Sequence, residues 1–135
     1  MRKLPGNRRQ ERGFTLIEMI IVIAIISILV GIAIPIYRTH VLHAREAVLR
    51  EDLYTMRSAI DQYTQDKQRA PQALEDLVAA GYLRAVPTDP ITYNANWVVV
   101  SEDVMESVDQ TQPGITNVHS NAPGIGSDGT SYGSW

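Results

Sequence analysis

The chain has 135 residues, 44% of them hydrophobic, and no cysteine, so it can form one small domain and one membrane segment but no disulfide or catalytic thiol. The net charge of −3 combines two unlike regions. Five basic residues against one acidic give residues 1–13 a charge of +4, and seven against fourteen give residues 14–135 a charge of −7. No lysine or arginine follows Arg84, and this acidic half argues against nucleic acid as a partner.

A long apolar segment follows the basic N-terminus. Residues 14–34 number 21, and as a helix they extend about 31 Å, the apolar thickness of a bilayer. The basic residues before this segment predict a cytoplasmic N-terminus, with the rest of the chain outside. A cleavable secretory signal is an alternative, but its apolar region is usually about 7 to 15 residues. A plain membrane anchor is the other alternative.

Glu18 is a carboxylate inside this apolar segment. A charged residue in a membrane helix costs about 2.5 to 3.5 kcal/mol on insertion scales, so it usually has a partner or a function. Cleavage after Gly13 would give Phe14 a free ammonium group, mostly protonated at neutral pH. That group would lie one helical turn from Glu18, or could reach the Glu18 of a neighbouring chain. The cut would therefore create the missing partner.

A basic leader ending in Gly13, then "FTLIE" and an apolar helix, resembles the class III signal of type IV pilins and type II secretion pseudopilins. The resemblance implies that prepilin peptidase cleaves between Gly13 and Phe14 and methylates the new amine of Phe14. It also implies an assembly role for Glu18, with Thr15 nearby, in which Glu18 recruits the next subunit through that amine.

Gly31 and Pro35 mark a weak turn of the apolar helix. Pro35 has no N–H, so the helical hydrogen bond to the carbonyl of Gly31 cannot form. The resemblance to pilins, which can lose helicity near this position when packed in a filament, leads us to predict a bend or melted turn here. The alternative is a proline tolerated near the membrane exit.

An amphipathic helical pattern continues to about Asp66. Charged residues, Glu46 among them, surround an apolar stripe with spacings of three, four and seven, which predicts a long helix that supports a small domain. A coiled coil is the weaker alternative. The stripe consists of Leu42, Leu49, Leu53, Met56, Ile60 and Tyr63.

The C-terminal part predicts a small α+β domain. "PQALEDLVAAGYL" is typical of a short helix with Pro71 near its start and Gly81 at its end. "WVVVS" and "GITNVHS" predict two strands of an antiparallel sheet, with an acidic loop between them. The expected organisation is a leader over 1–13, a membrane and filament-core helix over 14–34, a continuing amphipathic helix over 35–66, and a periplasmic globular domain over 67–135.

"APQALEDLVAAGYLRAVPTDPITY" and the closing "SDGTSYGSW" resemble the major, G-type pseudopilin of type II secretion. Members of that family commonly bind calcium in the C-terminal loop through several aspartates. Here Asp128 is the only acidic residue of that loop, while Asp103, Glu106 and Asp109 belong to another. We therefore expect no metal or other cofactor, with Asp128 as a weak calcium candidate, and a tight turn at residues 127–129 that lets Tyr132 and Trp135 pack onto the sheet.

The resemblance implies a structural subunit of a type II secretion pseudopilus. Its expected partners are copies of itself, prepilin peptidase, minor pseudopilins, the inner-membrane assembly platform and, before assembly, membrane lipid. The expected location is the inner membrane, single-pass, with the N-terminus cytoplasmic and the C-terminal domain periplasmic, and then the filament. A type IV pilin and a monomeric membrane-anchored binding domain are the alternatives. No phosphate loop, zinc signature or serine elbow is present, and we expect no enzyme activity.

Overall fold

A computed structural model describes residues 13–102 and 113–135 of the chain. Its fold is α+β, as the sequence predicted, with a long helix followed by a short helix, an antiparallel strand pair and a 3-10 turn. The elements are helix α1 (Leu16–Lys67), helix α2 (Leu74–Ala79), strand β1 (Val98–Glu102), strand β2 (Gly114–His119) and the 3-10 helix Tyr132–Ser134. The chain separates into two compact units, one ending at Arg38 and the other starting at Thr39.

The first unit contains the apolar part of α1. Every side chain from Phe14 to Arg38 is exposed, although nearly all of those up to Ile36 are apolar. A helix that is apolar on all sides is stable only in an apolar environment, such as lipid or a packed assembly of helices. The helix is also long and apolar enough to cross a membrane.

Helix α1 continues through Gly31 and Pro35 without interruption. The predicted melted turn is therefore absent from this single chain, and the prediction of melting within a filament stays a prediction. The physical reason is that one missing N–H removes a single hydrogen bond, while the bonds of the turns on either side remain available to keep the helical path.

The second unit buries one face of the later part of α1. Leu49 and Met56 are fully buried, and the predicted stripe forms the core as expected, except that Leu42 is 39% exposed. The core combines side chains of α1, α2, β2, the segment after α2 and the 3-10 helix. They include Leu49, Leu53, Met56, Ile60, Tyr63, Leu74, Leu77, Leu83, Ile115, Val118 and Tyr132. This face of α1 is the platform on which the rest of the unit packs.

Helix α2 has defined ends. Ala73 has no side-chain acceptor, but the Asp76 carboxylate accepts hydrogen bonds from the N–H groups of Gln72 (2.9 Å) and Ala73 (3.0 Å) and so closes the first turn. At the other end Gly81 has a φ of +85°. The N–H of Gly81 bonds the carbonyl of Val78, and that of Tyr82 bonds Leu77. This Schellman arrangement explains why glycine ends the helix, as predicted.

The two predicted strands pair in antiparallel register. Val99 lies opposite Val118 and Glu102 opposite Gly114, with an irregularity after Val100. Thr116 is the extra residue of this bulge, and its hydroxyl donates to the Val100 carbonyl at 3.3 Å. Trp97, expected in the strand, lies just before it. The predicted acidic loop and the leader upstream of Gly13 lie outside the described residues.

Candidate functional site

The predicted cleavage point precedes helix α1. Gly13, Phe14 and Thr15 are non-helical and exposed, with 76% of Phe14 accessible. A Cβ added at Gly13 would meet no atom within 4 Å. Backbone outside a helix has no helical hydrogen bonds to break before a peptidase binds it in extended form. The bond between Gly13 and Phe14 is therefore accessible, and its cleavage stays a prediction.

Thr15 and Glu18 have the spacing of a capping box. The Thr15 hydroxyl accepts a hydrogen bond from the Glu18 N–H at 3.3 Å, which fixes the start of α1. The Glu18 carboxylate is exposed, and it makes no hydrogen bond or ion pair with any residue of 13–102 or 113–135. The part of the chain that the structure describes therefore supplies no cation to Glu18.

The position of Phe14 changes one detail of the sequence argument. Sequence reasoning put the future amine one helical turn from Glu18, but the uncut chain enters the helix only at Leu16. Pairing within one chain and pairing between neighbouring chains both stay predictions.

A second cluster lies in the C-terminal unit, where residues 124–135, here called the closing loop, return to α1. Glu46 is 4% exposed and accepts hydrogen bonds from the Ser127 N–H (2.8 Å), the Ser127 hydroxyl and the Tyr132 hydroxyl (2.9 Å). His43 lies 3.7 Å from the carboxylate. Glu46, one of the charged residues around the apolar stripe, is therefore buried, because the closing loop covers it.

The pKa of Glu46 reflects two opposed effects. Burial alone would raise the pKa of this carboxyl, but the hydrogen bonds from Ser127 and Tyr132, with His43 nearby, favour the ionised form and lower it below its usual value. Burial and the Glu46 charge in turn raise the pKa of Tyr132. The carboxylate is thus a fixed charged anchor for the closing loop.

Asp128 and Arg50 form the outer part of the same cluster. Asp128 accepts from the Thr130 N–H (2.9 Å) and hydroxyl (2.6 Å), and its other oxygen accepts from Arg50 at 2.5 Å. The hydrogen bonds from Thr130, with the contribution of Arg50, lower the pKa of Asp128. The Arg50 guanidinium also lies 4.0 Å above the centre of the Trp135 ring. One cation therefore contacts both the turn and the aromatic residue that closes it.

The closing loop has the tight turn that the sequence predicted. Gly129 has a φ of +82°, and its N–H bonds the Gly126 carbonyl at 3.0 Å. Tyr132 is buried in the core, and its ring packs edge-to-face with the Trp135 ring, with 5.0 Å between the ring centroids. Arg57 donates to the carbonyls of Val118 and Trp135, which ties the end of the loop to β2.

Comparisons with known proteins decide the family. The prokaryotic N-terminal methylation motif matches residues 8–34. The type II secretion system core protein G of Pseudomonas aeruginosa is 33% identical over 100 residues, which cover 62% of this chain and 70% of that protein. The chain belongs to the type II secretion system core protein G family. The predicted resemblance to the type II secretion major pseudopilin is confirmed.

Other relatives of this core protein G chain agree with that placement. The core protein G of Klebsiella pneumoniae is 32% identical over 98 residues, or 61% of this chain and 70% of that protein. The type IV major fimbrial protein FimA of Dichelobacter nodosus is 39% identical over only 62 residues, or 46% and 39%. No solved structure matches the chain.

Two buried carboxylates of this family member escaped the sequence reasoning. Leu42 and Leu49 of the apolar stripe are seven residues apart, and Glu46 lies on the same helix face between them. This spacing was the one feature of the sequence that could have indicated a polar residue on the buried face. Asp89 is 2% exposed and accepts from the N–H groups of Ile91 and Thr92 and from the Ser120 hydroxyl at 2.5 Å. The bond from Ser120 joins residues 31 positions apart, and no local sequence pattern predicts such a contact.

Proposed function

We propose that this chain is a structural subunit of a type II secretion pseudopilus and works by assembly, not by catalysis. The observation that carries the proposal is Glu18, an exposed carboxylate without a described partner at the start of a helix that is apolar on all sides. The relatives named as core protein G support it. So does the N-terminal methylation motif over residues 8–34.

The proposed sequence of events starts in the inner membrane. The chain inserts with its N-terminus in the cytoplasm and its C-terminal unit in the periplasm, and prepilin peptidase cuts the exposed bond between Gly13 and Phe14. The cut frees the amine of Phe14, which the same enzyme methylates. Methylation of an amine leaves it able to carry a proton, so the positive charge is retained.

Assembly then removes an electrostatic cost. Glu18 costs about 2.5 to 3.5 kcal/mol in an apolar environment when it is unpaired. The ammonium group of Phe14 on a neighbouring subunit neutralises it, and the interaction is strong because the surroundings have a low dielectric constant. An uncut subunit cannot offer this cation, so processing becomes a condition for assembly. The assembly platform and minor pseudopilins are the proposed partners at the growing end.

The test is Glu18→Ala in the full chain, expressed with its secretion system. We expect cleavage and membrane insertion to continue, filaments to be lost, and export to fall with them. Glu18→Asp keeps the charge and should retain part of the assembly. Ser27→Ala is the matched control, since Ser27 is another exposed polar residue of the same helix whose hydroxyl bonds only the Ile23 carbonyl in the described chain.

The outcomes separate the candidate functions. Normal filaments from Glu18→Ala would refute assembly through this carboxylate and would favour a monomeric membrane-anchored binding domain. Filaments on the cell surface that do not support export would favour a type IV pilin. The FimA match supports the type IV pilin less strongly than the core protein G matches support the pseudopilin, because the FimA match covers only 46% of this chain.

A further inference from the structure

We propose that the guanidinium of Arg50 is the cation of the closing loop, so that residues 124–135 hold their conformation without a divalent metal ion. The family resemblance leads one to expect calcium in this loop. The residues that the structure brings together there do not fit that ion.

The donor set is the first reason. Calcium takes about 6 to 8 oxygen ligands, usually with several carboxylates among them. No group of three or more potential metal-binding side chains occurs in residues 13–102 and 113–135. Asp128 has its oxygens directed at N–H and O–H donors of Thr130 and Arg50. Glu46, another carboxylate that contacts the closing loop, is engaged by Ser127 and Tyr132.

The position of Arg50 is the second reason. Its guanidinium lies 2.5 Å from the Asp128 carboxylate and 4.0 Å above the Trp135 ring, so one charge bridges the turn and the aromatic residue. A metal ion bound to Asp128 at the same side would lie close to the guanidinium and be repelled by it. Arginine is permanently charged, so this cation is present at every physiological pH and calcium level.

Contacts of Trp135 show how the bridge closes the loop. The Trp135 ring rests directly against Gly126, where an added Cβ would come within 2.4 Å of the ring. The ring N–H donates to the Thr130 hydroxyl at 2.5 Å. Both ends of the turn are therefore tied to one residue, and that residue is covered by Arg50. Loss of the guanidinium should loosen the turn and the ring together.

The experiment uses the full chain in detergent micelles. We measure thermal unfolding with calcium chloride or with EDTA, and hydrogen exchange at the amides of Gly126 and Thr130, which are bonded inside the turn. Arg50→Gln removes the charge at similar length, and Arg50→Lys keeps it. Arg84→Gln is the control, because Arg84 is exposed and lies away from the loop in sequence.

We expect the wild-type melting temperature to be the same in calcium and in EDTA. Exchange at the two amides should be about fivefold faster in Arg50→Gln than in wild type, from loss of the ion pair and the cation–π contact. Arg50→Lys should lie closer to wild type, and Arg84→Gln should match it. If Arg50→Gln does not fold, Asp128→Asn removes the same ion pair and should show the same faster exchange.

Two results would overturn the proposal. A calcium site filled at a hundred times its dissociation constant would raise the wild-type melting temperature by about 5 °C or more, reversibly with EDTA. Equal exchange rates in Arg50→Gln and Arg50→Lys would show that the charge does not hold the loop. Failure of the proposed filament function would change neither readout, because both concern the single subunit.

Discussion

Glu46→Ala should strongly destabilise the C-terminal unit while leaving the hydrophobic core intact. Glu46 is 4% exposed and accepts three hydrogen bonds from the closing loop, one of them from Tyr132. Alanine would remove the acceptor of all three and leave a space beneath the loop. The substitution therefore weakens one of the contacts between α1 and residues 124–135.

The expected magnitude follows from these contacts. Hydrogen bonds to a charged acceptor contribute about 1.5 to 3 kcal/mol each, but the losses are not additive, because water can enter the space and satisfy the Ser127 donors. A buried donor left without an acceptor costs about 1 to 3 kcal/mol, so with partial rescue by water the three donors together cost about 3 to 5 kcal/mol. We expect a loss in that range, against a total stability of about 5 to 15 kcal/mol for a domain of this size.

Two further variants test the reasoning. Glu46→Gln keeps the shape but exchanges one acceptor oxygen for an N–H donor that faces other donors, so it should cost about 1.5 to 3 kcal/mol. Glu51→Ala removes an exposed carboxylate of the same helix and should change the free energy of unfolding by less than about 0.5 kcal/mol. The assay is urea unfolding at pH 7, followed by tryptophan fluorescence.

The pH dependence gives an independent check. The pKa of Glu46 is lowered in the folded state, so its contribution is present above the unfolded value of 4.5 and is lost as pH falls through the lower folded value. The pKa of Asp128 is also lowered in the folded state, so its contribution to stability is likewise lost as pH falls. Between neutral pH and pH 3 the wild type should therefore lose more stability than Glu46→Gln. Equal losses in the two proteins, or equal stability of Glu46→Gln and Glu51→Ala, would refute the argument.

The remaining predictions concern two glycines. Replacing Gly13 with tryptophan should block cleavage, leave Glu18 without a cation and keep the subunit unassembled in the membrane. Mass spectrometry should find the leader still attached. A variant that is cut and methylated would contradict this prediction. Gly81→Ala should destabilise the C-terminal unit by about 1 to 2 kcal/mol, because the residue has a φ of +85° that suits only glycine. Gly31→Ala is the control in thermal unfolding of the C-terminal unit, since Gly31 lies inside the helix of the first unit with nothing within 4 Å of an added Cβ.

Local patterns in the sequence predicted most of the fold. The long helix was predicted to end near Asp66 and ends at Lys67, and Gly81 ends α2 as predicted. These predictions succeed because residue spacing and backbone conformation act over a few residues. Both strands were placed within one or two residues of their observed bounds. Short-range rules therefore explain the elements and the face of α1 that becomes buried.

Contacts between distant residues could not be predicted in the same way. Arg50 and Asp128 are 78 positions apart, and Ser127 is 81 positions from Glu46. No periodicity links such pairs, since they meet only when the closing loop has packed on α1. A charged residue such as Glu46 is usually exposed, and it can be buried only when other residues, here those of the closing loop, supply enough donors to satisfy the charge.

Glu18 and Glu46 differ in whether the chain itself supplies partners for the carboxylate, and this difference separates a functional role from a structural one. Both are carboxylates on α1, and both face a free-energy cost when they leave water. Glu46 meets its partners inside its own unit, so it needs nothing from another molecule and serves stability. Glu18 has no described partner and lies in a helix that is apolar on all sides, so lipid cannot satisfy it. In the proposed assembly a neighbouring chain supplies the cation, so we expect filament formation, but not the fold, to depend on Glu18.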